Sequence, residues 1–151
     1  MSPNSLSQNV CDWNGWVWVG EFGTGWVGTG TQEKLHVLIV KPNFGCSTKE
    51  IYSKVRKFNK PKMNHPKKKM FNLDYLKKMN NSLEPIVFLK YPKLRALKSF
   101  LENLSKPAFV RMTGSGSAMV AYFNSKQRCE NAEKQFKRKY KNYWCISSKT
   151  I

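Results

Sequence analysis

Residues 1–33 contain neither lysine nor arginine, which sets them apart from everything that follows. Acidic residues are scarce throughout: nine Asp and Glu stand against 27 Lys and Arg, for a net charge of +18. All 27 cations lie in residues 34–151 beside only six acids, a local balance of +21. Such a field attracts nucleic acid, anionic lipid or a polyphosphate ligand. Arginine is scarce within it, at five residues (Arg56, Arg95, Arg111, Arg128, Arg138). Base edges and phosphate forks favour Arg, so the lysine excess argues for a solvated surface over a dedicated reader of nucleic acid. No apolar run approaches the ~20 residues that span a bilayer, so no membrane partner is expected. MSPNSLSQNV has no basic or apolar signal-peptide region. The four cysteines (Cys11, Cys46, Cys129, Cys145) form no CxxC pair, and no His sits at zinc-finger spacing. That favours reduced thiols, as in a cytoplasmic protein, over a disulfide framework or metal site.

What is present is enough for one domain with a real core. The chain has 151 residues, 40% of them hydrophobic and 13% aromatic, a composition that folds and is not wholly disordered. Two zones meet near residue 33. The first, CDWNGWVWVGEFGTGWVGTGTQ, holds four of the five Trp and six of the nine Gly. Gly23–Gly28 spells GxGxxG, a pattern that should follow a strand and open a helix. Thr29-Gly30-Thr31-Gln32 carries no helical period behind it, so the span reads as a glycine-broken β segment or as sequence foreign to the rest of the fold.

From Leu35 the pattern becomes regular. Leu35–Lys41 (LHVLIVK) is a short apolar run rich in β-branched residues, the signature of a buried strand. Ser47-Thr48-Lys49-Glu50 is a capping box and predicts a helix to about Phe58 that buries Ile51, Val55 and Phe58. Asn59–Met70 is polar, basic and proline-containing, an exposed linker. Helices are predicted over Leu73–Met79, from a start at Asn81 with Glu84 at N3, and over Lys93–Leu104 with Leu94, Leu97, Leu101 and Leu104 in one stripe. Strands are expected at Ala108–Met112, Ala118–Phe123 and Tyr143–Ser147. Between the last two, a helix from Ser125 turns Cys129, Ala132, Phe136 and Tyr140 inward. The order implies an α+β domain, an antiparallel sheet covered on one face by helices.

Two places could hold chemistry. Gly114-Ser115-Gly116-Ser117 joins two strands, and its glycines permit positive φ and consecutive outward amides that can surround an anion. Serine hydroxyls add neutral donors. Taken alone, the same four residues favour a plain hairpin turn over a ligand loop, because Gly and Ser dominate turns for local reasons. Thr48 and Tyr52 lie four apart on the capped helix and share a face. Tyr52 there can stack on a base or pack in the core.

Val37–Tyr52 (VLIVKPNFGCSTKEIY), Asn81–Pro85 (NSLEP) and Arg111–Phe123 (RMTGSGSAMVAYF) resemble, in order and spacing, the C-terminal half of the 4-diphosphocytidyl-2-C-methyl-D-erythritol kinase family, within the GHMP kinase superfamily. The family's strand-loop-helix has a Pro after the strand, then a Thr and an aromatic one turn later, and its NDLE-like helix start appears here with Ser82 for Asp. The resemblance covers residues 35–151 and implies a ferredoxin-like, four-stranded antiparallel sheet. It implies ATP-dependent phosphorylation, with Mg²⁺, of the 2-hydroxyl of a cytidine-diphosphate-linked methylerythritol, a step of non-mevalonate isoprenoid biosynthesis. Thr48 and Tyr52 would face the cytidine, and Gly114, Ser115, Gly116 and Ser117 the phosphates. The family's substrate-binding Lys and His, phosphate loop and catalytic Asp are not found in residues 1–34, where Trp26 stands among the glycines and Asp12 is the sole Asp. The expectation is therefore a C-terminal kinase domain at 35–151 without catalytic or metal-ligating residues of its own, inactive alone, behind an atypical Gly/Trp-rich segment at 1–34. Two other readings stay open: a small basic nucleic-acid-binding module, suggested by FKRKYKNYW (Phe136–Trp144), and a non-catalytic partner of a separate kinase chain.

Overall fold

The structure, a computed structural model, describes residues 10–13, 16–19, 26–28, 35–56, 73–78 and 80–149, the first three stretches as backbone alone. Phe58, the linker 59–70, Met79 and the first half of the GxGxxG pattern lie outside the described residues. Strands β1 (Val10–Trp13), β2 (Trp16–Val19) and β3 (Trp26–Gly28) form a three-stranded antiparallel sheet in chain order. Trp26–Gly28 is thus itself strand, not the first turn of a helix, and the β reading of this segment holds.

The main sheet has four strands, β4 (His36–Lys41), β5 (Phe109–Met112), β6 (Met119–Phe123) and β7 (Trp144–Lys149), in the order β5-β6-β4-β7 with every neighbouring pair antiparallel. Helices α1 (Thr48–Ser53), α2 (Leu73–Lys78), α3 (Glu84–Lys90) and α4 (Pro92–Glu102) lie between β4 and β5, and α5 (Lys126–Lys139) between β6 and β7. This is the expected ferredoxin-like α+β architecture.

Near-continuous apolar strands have a physical cause here: the two inner strands are covered on both faces. Leu38 and Val40 of β4, Val110 and Met112 of β5, and Met119, Ala121 and Phe123 of β6 join one large core with Ile51, Val87, Leu94, Leu97, Leu101 and Phe136 from four helices. The alternate residues Val37, Val120 and Tyr122 form a second cluster, with Leu73 of α2 and Phe109 against it. On that reverse face the buried Arg111 donates through Nη2 to the Leu76 carbonyl at 2.7 Å, its guanidinium 4.9 Å from the Phe109 ring. Helices α1, α3, α4 and α5 therefore share one face, as expected, and α2 lies on the other.

Two helix boundaries differ from the sequence expectation. Ser47 does cap α1, its hydroxyl accepting from the Glu50 amide at 3.4 Å. The helix nevertheless ends at Ser53, because the Ser53 hydroxyl donates to the Glu50 carbonyl at 2.7 Å, the acceptor that the Lys54 amide would need. Lys54 turns to the Ile51 carbonyl instead, and Val55 packs on the core from outside the helix. The predicted start at Asn81 is displaced to Glu84. Asn81 Oδ1 accepts from the Leu83 amide at 3.0 Å in a local turn, and Pro85 occupies the first helical positions.

Candidate functional site

The β4–α1 loop and the β5–β6 turn meet at one end of the sheet because β4 and β6 are paired neighbours. Thr48 Oγ1 lies 3.1 Å from Ser115 Oγ, so the residues expected on the base side and on the phosphate side are in direct contact. Ser117, 5% exposed, donates its hydroxyl to the Phe44 carbonyl at 2.8 Å. That proton is committed to holding the two loops together, and Ser115 keeps the hydroxyl on the turn's open side. Tyr52 is half-buried on α1 and packs against the main core.

The turn closes through Gly116 N–H donating to the Thr113 carbonyl and Thr113 N–H to the Ala118 carbonyl, each at 2.9 Å. Gly114 and Gly116 have φ of +49° and +86°, as a non-glycine residue rarely would. The amides of Gly114 and Ser115 have no acceptor among the described residues, leaving two neutral donors beside the Ser115 hydroxyl. Such donors suit an anion.

Sequence reasoning named NSLEP as a motif and read Asn81 and Glu84 as a helix start. The structure gives their side chains a different role. Asn81 Nδ2 donates to the carbonyls of Met112 (3.0 Å) and Gly114 (2.7 Å), while Glu84 Oε1 accepts from the Met112 amide at 2.8 Å. Both side chains are buried, and Lys98 Nζ pairs with Glu84 Oε2 at 2.7 Å. The signal was present at i and i+3, but a helix-capping reading uses the same two residues. Lys90 was also missed. It pairs with Glu50, ties the end of α3 to α1, and holds the Glu50 carboxyl below its ordinary range. Next to it a cavity of about 520 Å³ opens between Phe44, Tyr91 and Lys93. The Phe44 and Tyr91 rings stack there at 6.2 Å.

Among the described residues, no group of three or more His, Cys, Asp or Glu gathers as a metal site. Glu50 and Glu84 are both engaged by lysines. The arrangement can orient an anion and shape a pocket. Cys46, Cys129 and Cys145 are free. Burial, with Glu133 and Glu130 adding to it, pushes the Cys129 thiol up to about 11, so this cysteine acts as a small apolar core residue. No helix among the described residues is long and apolar enough to cross a membrane.

The family pattern described as "GHMP kinases C terminal" matches residues 67–142, half of the chain. The chain belongs to the GHMP kinase C-terminal family. Among curated GHMP relatives, it is 57% identical over 118 residues to the 4-diphosphocytidyl-2-C-methyl-D-erythritol kinase of Pelagibacter ubique, covering 78% of this chain and 42% of that protein. The same enzyme of Clostridium tetani is 34% identical over 124 residues, again covering 42% of its length. The chain thus spans about two fifths of the curated relatives it matches. A crystal structure of 4-(cytidine 5'-diphospho)-2C-methyl-D-erythritol kinase superposes with a TM-score of 0.64 at 20% identity, over 83% of this chain and 46% of that one. Homoserine kinase from Cytophaga hutchinsonii gives 0.60 at 13% identity, over 90% and 47%. These two share the fold.

Proposed function

We propose that residues 35–151 form the C-terminal part of an ATP-dependent kinase acting on the 2-hydroxyl of 4-diphosphocytidyl-2-C-methyl-D-erythritol, in the cytoplasm, with residues 1–34 outside that unit. The observation that carries this reading is the 57% identity to the Pelagibacter ubique enzyme. The geometry agrees with it: the base-side and phosphate-side motifs touch through Thr48 and Ser115. Tyr52 and Thr48 face the cytidine, and the Gly114 and Ser115 amides with the Ser115 hydroxyl face phosphate oxygens. Mg²⁺ bound with ATP would supply charge neutralisation at the transferred phosphoryl group, and no described carboxylate cluster of this chain would hold it. This chain's own part is positioning, which accounts for most of such catalysis. The base and the phosphate loop belong to the portion of the relatives that this chain does not cover.

A chimera tests the reading. The matching C-terminal part of the Pelagibacter ubique kinase is replaced by residues 35–149 of this chain, and ATP-dependent phosphorylation of the cytidine substrate is assayed. The chimera is expected to turn over, with Thr48→Ala and Tyr52→Ala each raising KM several-fold, while the 151-residue chain alone is inactive. A folded chimera without turnover, or turnover by the chain alone, refutes it.

A further inference from the structure

Strand β5 is an edge of the main sheet: β6 flanks it on one side, and among the described residues no strand flanks it on the other. An edge strand leaves main-chain donors and acceptors without a ladder partner. At Met112 both main-chain groups are instead taken by side chains, the N–H by Glu84 at 2.8 Å and the carbonyl by Asn81 at 3.0 Å. Asn81 then reaches two residues further, to the Gly114 carbonyl at 2.7 Å. Its oxygen accepts the Leu83 amide, so both donors and the oxygen are engaged while the residue is 2% exposed. A capping box would direct the Glu84 carboxylate back to its own helix start. Here it crosses to a strand 28 residues away. Burying that carboxylate is tolerable because Lys98 pairs with its second oxygen.

We propose that Asn81 and Glu84 are positioning residues of the kinase site. They stand in for a neighbouring strand at Met112, fix the backbone from Met112 to Gly114, and so keep the Gly114 and Ser115 amides directed at the phosphates. The Thr48–Ser115 contact passes that constraint on to the base side. The functional half of this statement rests on the kinase reading above. The mechanical half does not.

Amide exchange on the ¹⁵N-labelled 151-residue chain separates the two. Asn81→Asp keeps size and the Leu83 acceptor but sets an oxygen against two carbonyls, removing both donations. The Thr113 and Gly116 amides, which close the turn, are expected to exchange about tenfold faster or more, while those of Ala121 and Phe136 keep their rates. Glu84→Gln is expected to move the Met112 amide resonance and speed turn exchange less. Unchanged turn amides in both variants overturn the proposal. Turn and core amides accelerating together in Glu84→Gln also overturn it, since the pair would then support the whole fold rather than the turn. If Asn81→Asp does not fold, Glu84→Gln decides alone, and an unmoved Met112 amide is fatal. Titration with CDP provides the second readout. It is expected to shift Gly114 and Ser115 in the unmodified chain and to do so at least several-fold more weakly in Asn81→Asp. Equal shifts in both overturn the positioning role. No shift in the unmodified chain counts against the kinase reading, and the exchange rates still decide the clamp.

Discussion

Replacing Gly116 by alanine should destabilise the chain more than any other glycine substitution among its described residues, for two separable reasons. Gly116 has φ of +86°, where an L side chain is strained by roughly 1–2 kcal/mol. An added Cβ would also lie 3.1 Å from Met112 Sδ and 3.2 Å from Cys46 Sγ, contacts that force both sulfurs aside. Overpacking of this kind costs about 1–3 kcal/mol. The stiffer unfolded chain returns ~0.4–1 kcal/mol, so the net loss should be about 2–3 kcal/mol. Gly114 isolates the first contribution: φ is +49° and nothing lies within 4 Å of its Cβ position, so Gly114→Ala should cost about 1 kcal/mol. Gly45 lacks both, and Gly45→Ala should fall within ~0.5 kcal/mol of zero. Urea unfolding followed by far-ultraviolet circular dichroism gives all three from the shift in midpoint at constant slope. In a Cys46→Ala background one of the two contacts is gone, and the Gly116→Ala penalty should shrink by roughly 0.5–1 kcal/mol. Equal costs at Gly114 and Gly116, or no coupling to Cys46, would refute the packing argument and leave backbone strain alone.

Two further outcomes test the core and the acid limb. Phe136 is fully buried, with the Phe100 and Tyr140 rings at 6.3 and 5.0 Å, so Phe136→Ala should cost about 3–5 kcal/mol by denaturant titration. A loss under ~1 kcal/mol would mean that α5 is not seated as described. Glu133 accepts from Lys137 at 2.6 Å and from Ser147 at 2.5 Å, and these bonds hold its carboxyl below the ordinary range. A carboxyl depressed in the folded state stabilises above its unfolded pKa, and that contribution disappears as pH falls through the folded pKa. Glu133→Gln should therefore be less stable than the unmodified chain near pH 7, and the gap should narrow as pH falls through the depressed folded-state pKa. A gap in urea midpoint that stays constant across that range would contradict the assignment.

How much of this was legible beforehand depends on the range over which each signal acts. Strands β4 and β6 were readable because apolar runs report burial on both faces, and burial is a property of the run itself. The Leu94, Leu97, Leu101 stripe was readable for the same reason: all three are at most 1% exposed. Helix ends were not, because a serine hydroxyl competing for one carbonyl at Ser53, or an Asn turning its own chain at Asn81, leaves the periodicity unchanged. The side of the sheet that α2 covers depends on which way Arg111 points, and alternation gives that only once the register Arg111↔Val120 is known. The site sits between these cases. Its motifs could be seen, but Ser117 and Ser115 are both hydroxyls in one tetrapeptide, and sequence cannot say which one is committed to the Phe44 carbonyl and which meets Thr48. The same limit hid the use made of NSLEP, since Asn and Glu three apart satisfy a helix start and a distant strand edge equally well on paper. What decides between them is burial at 2% and 8%, where a polar side chain must find partners, and those it finds are main-chain groups of Met112 and Gly114. Local pattern chose the elements, and long-range hydrogen-bond satisfaction chose how the site's loops are held.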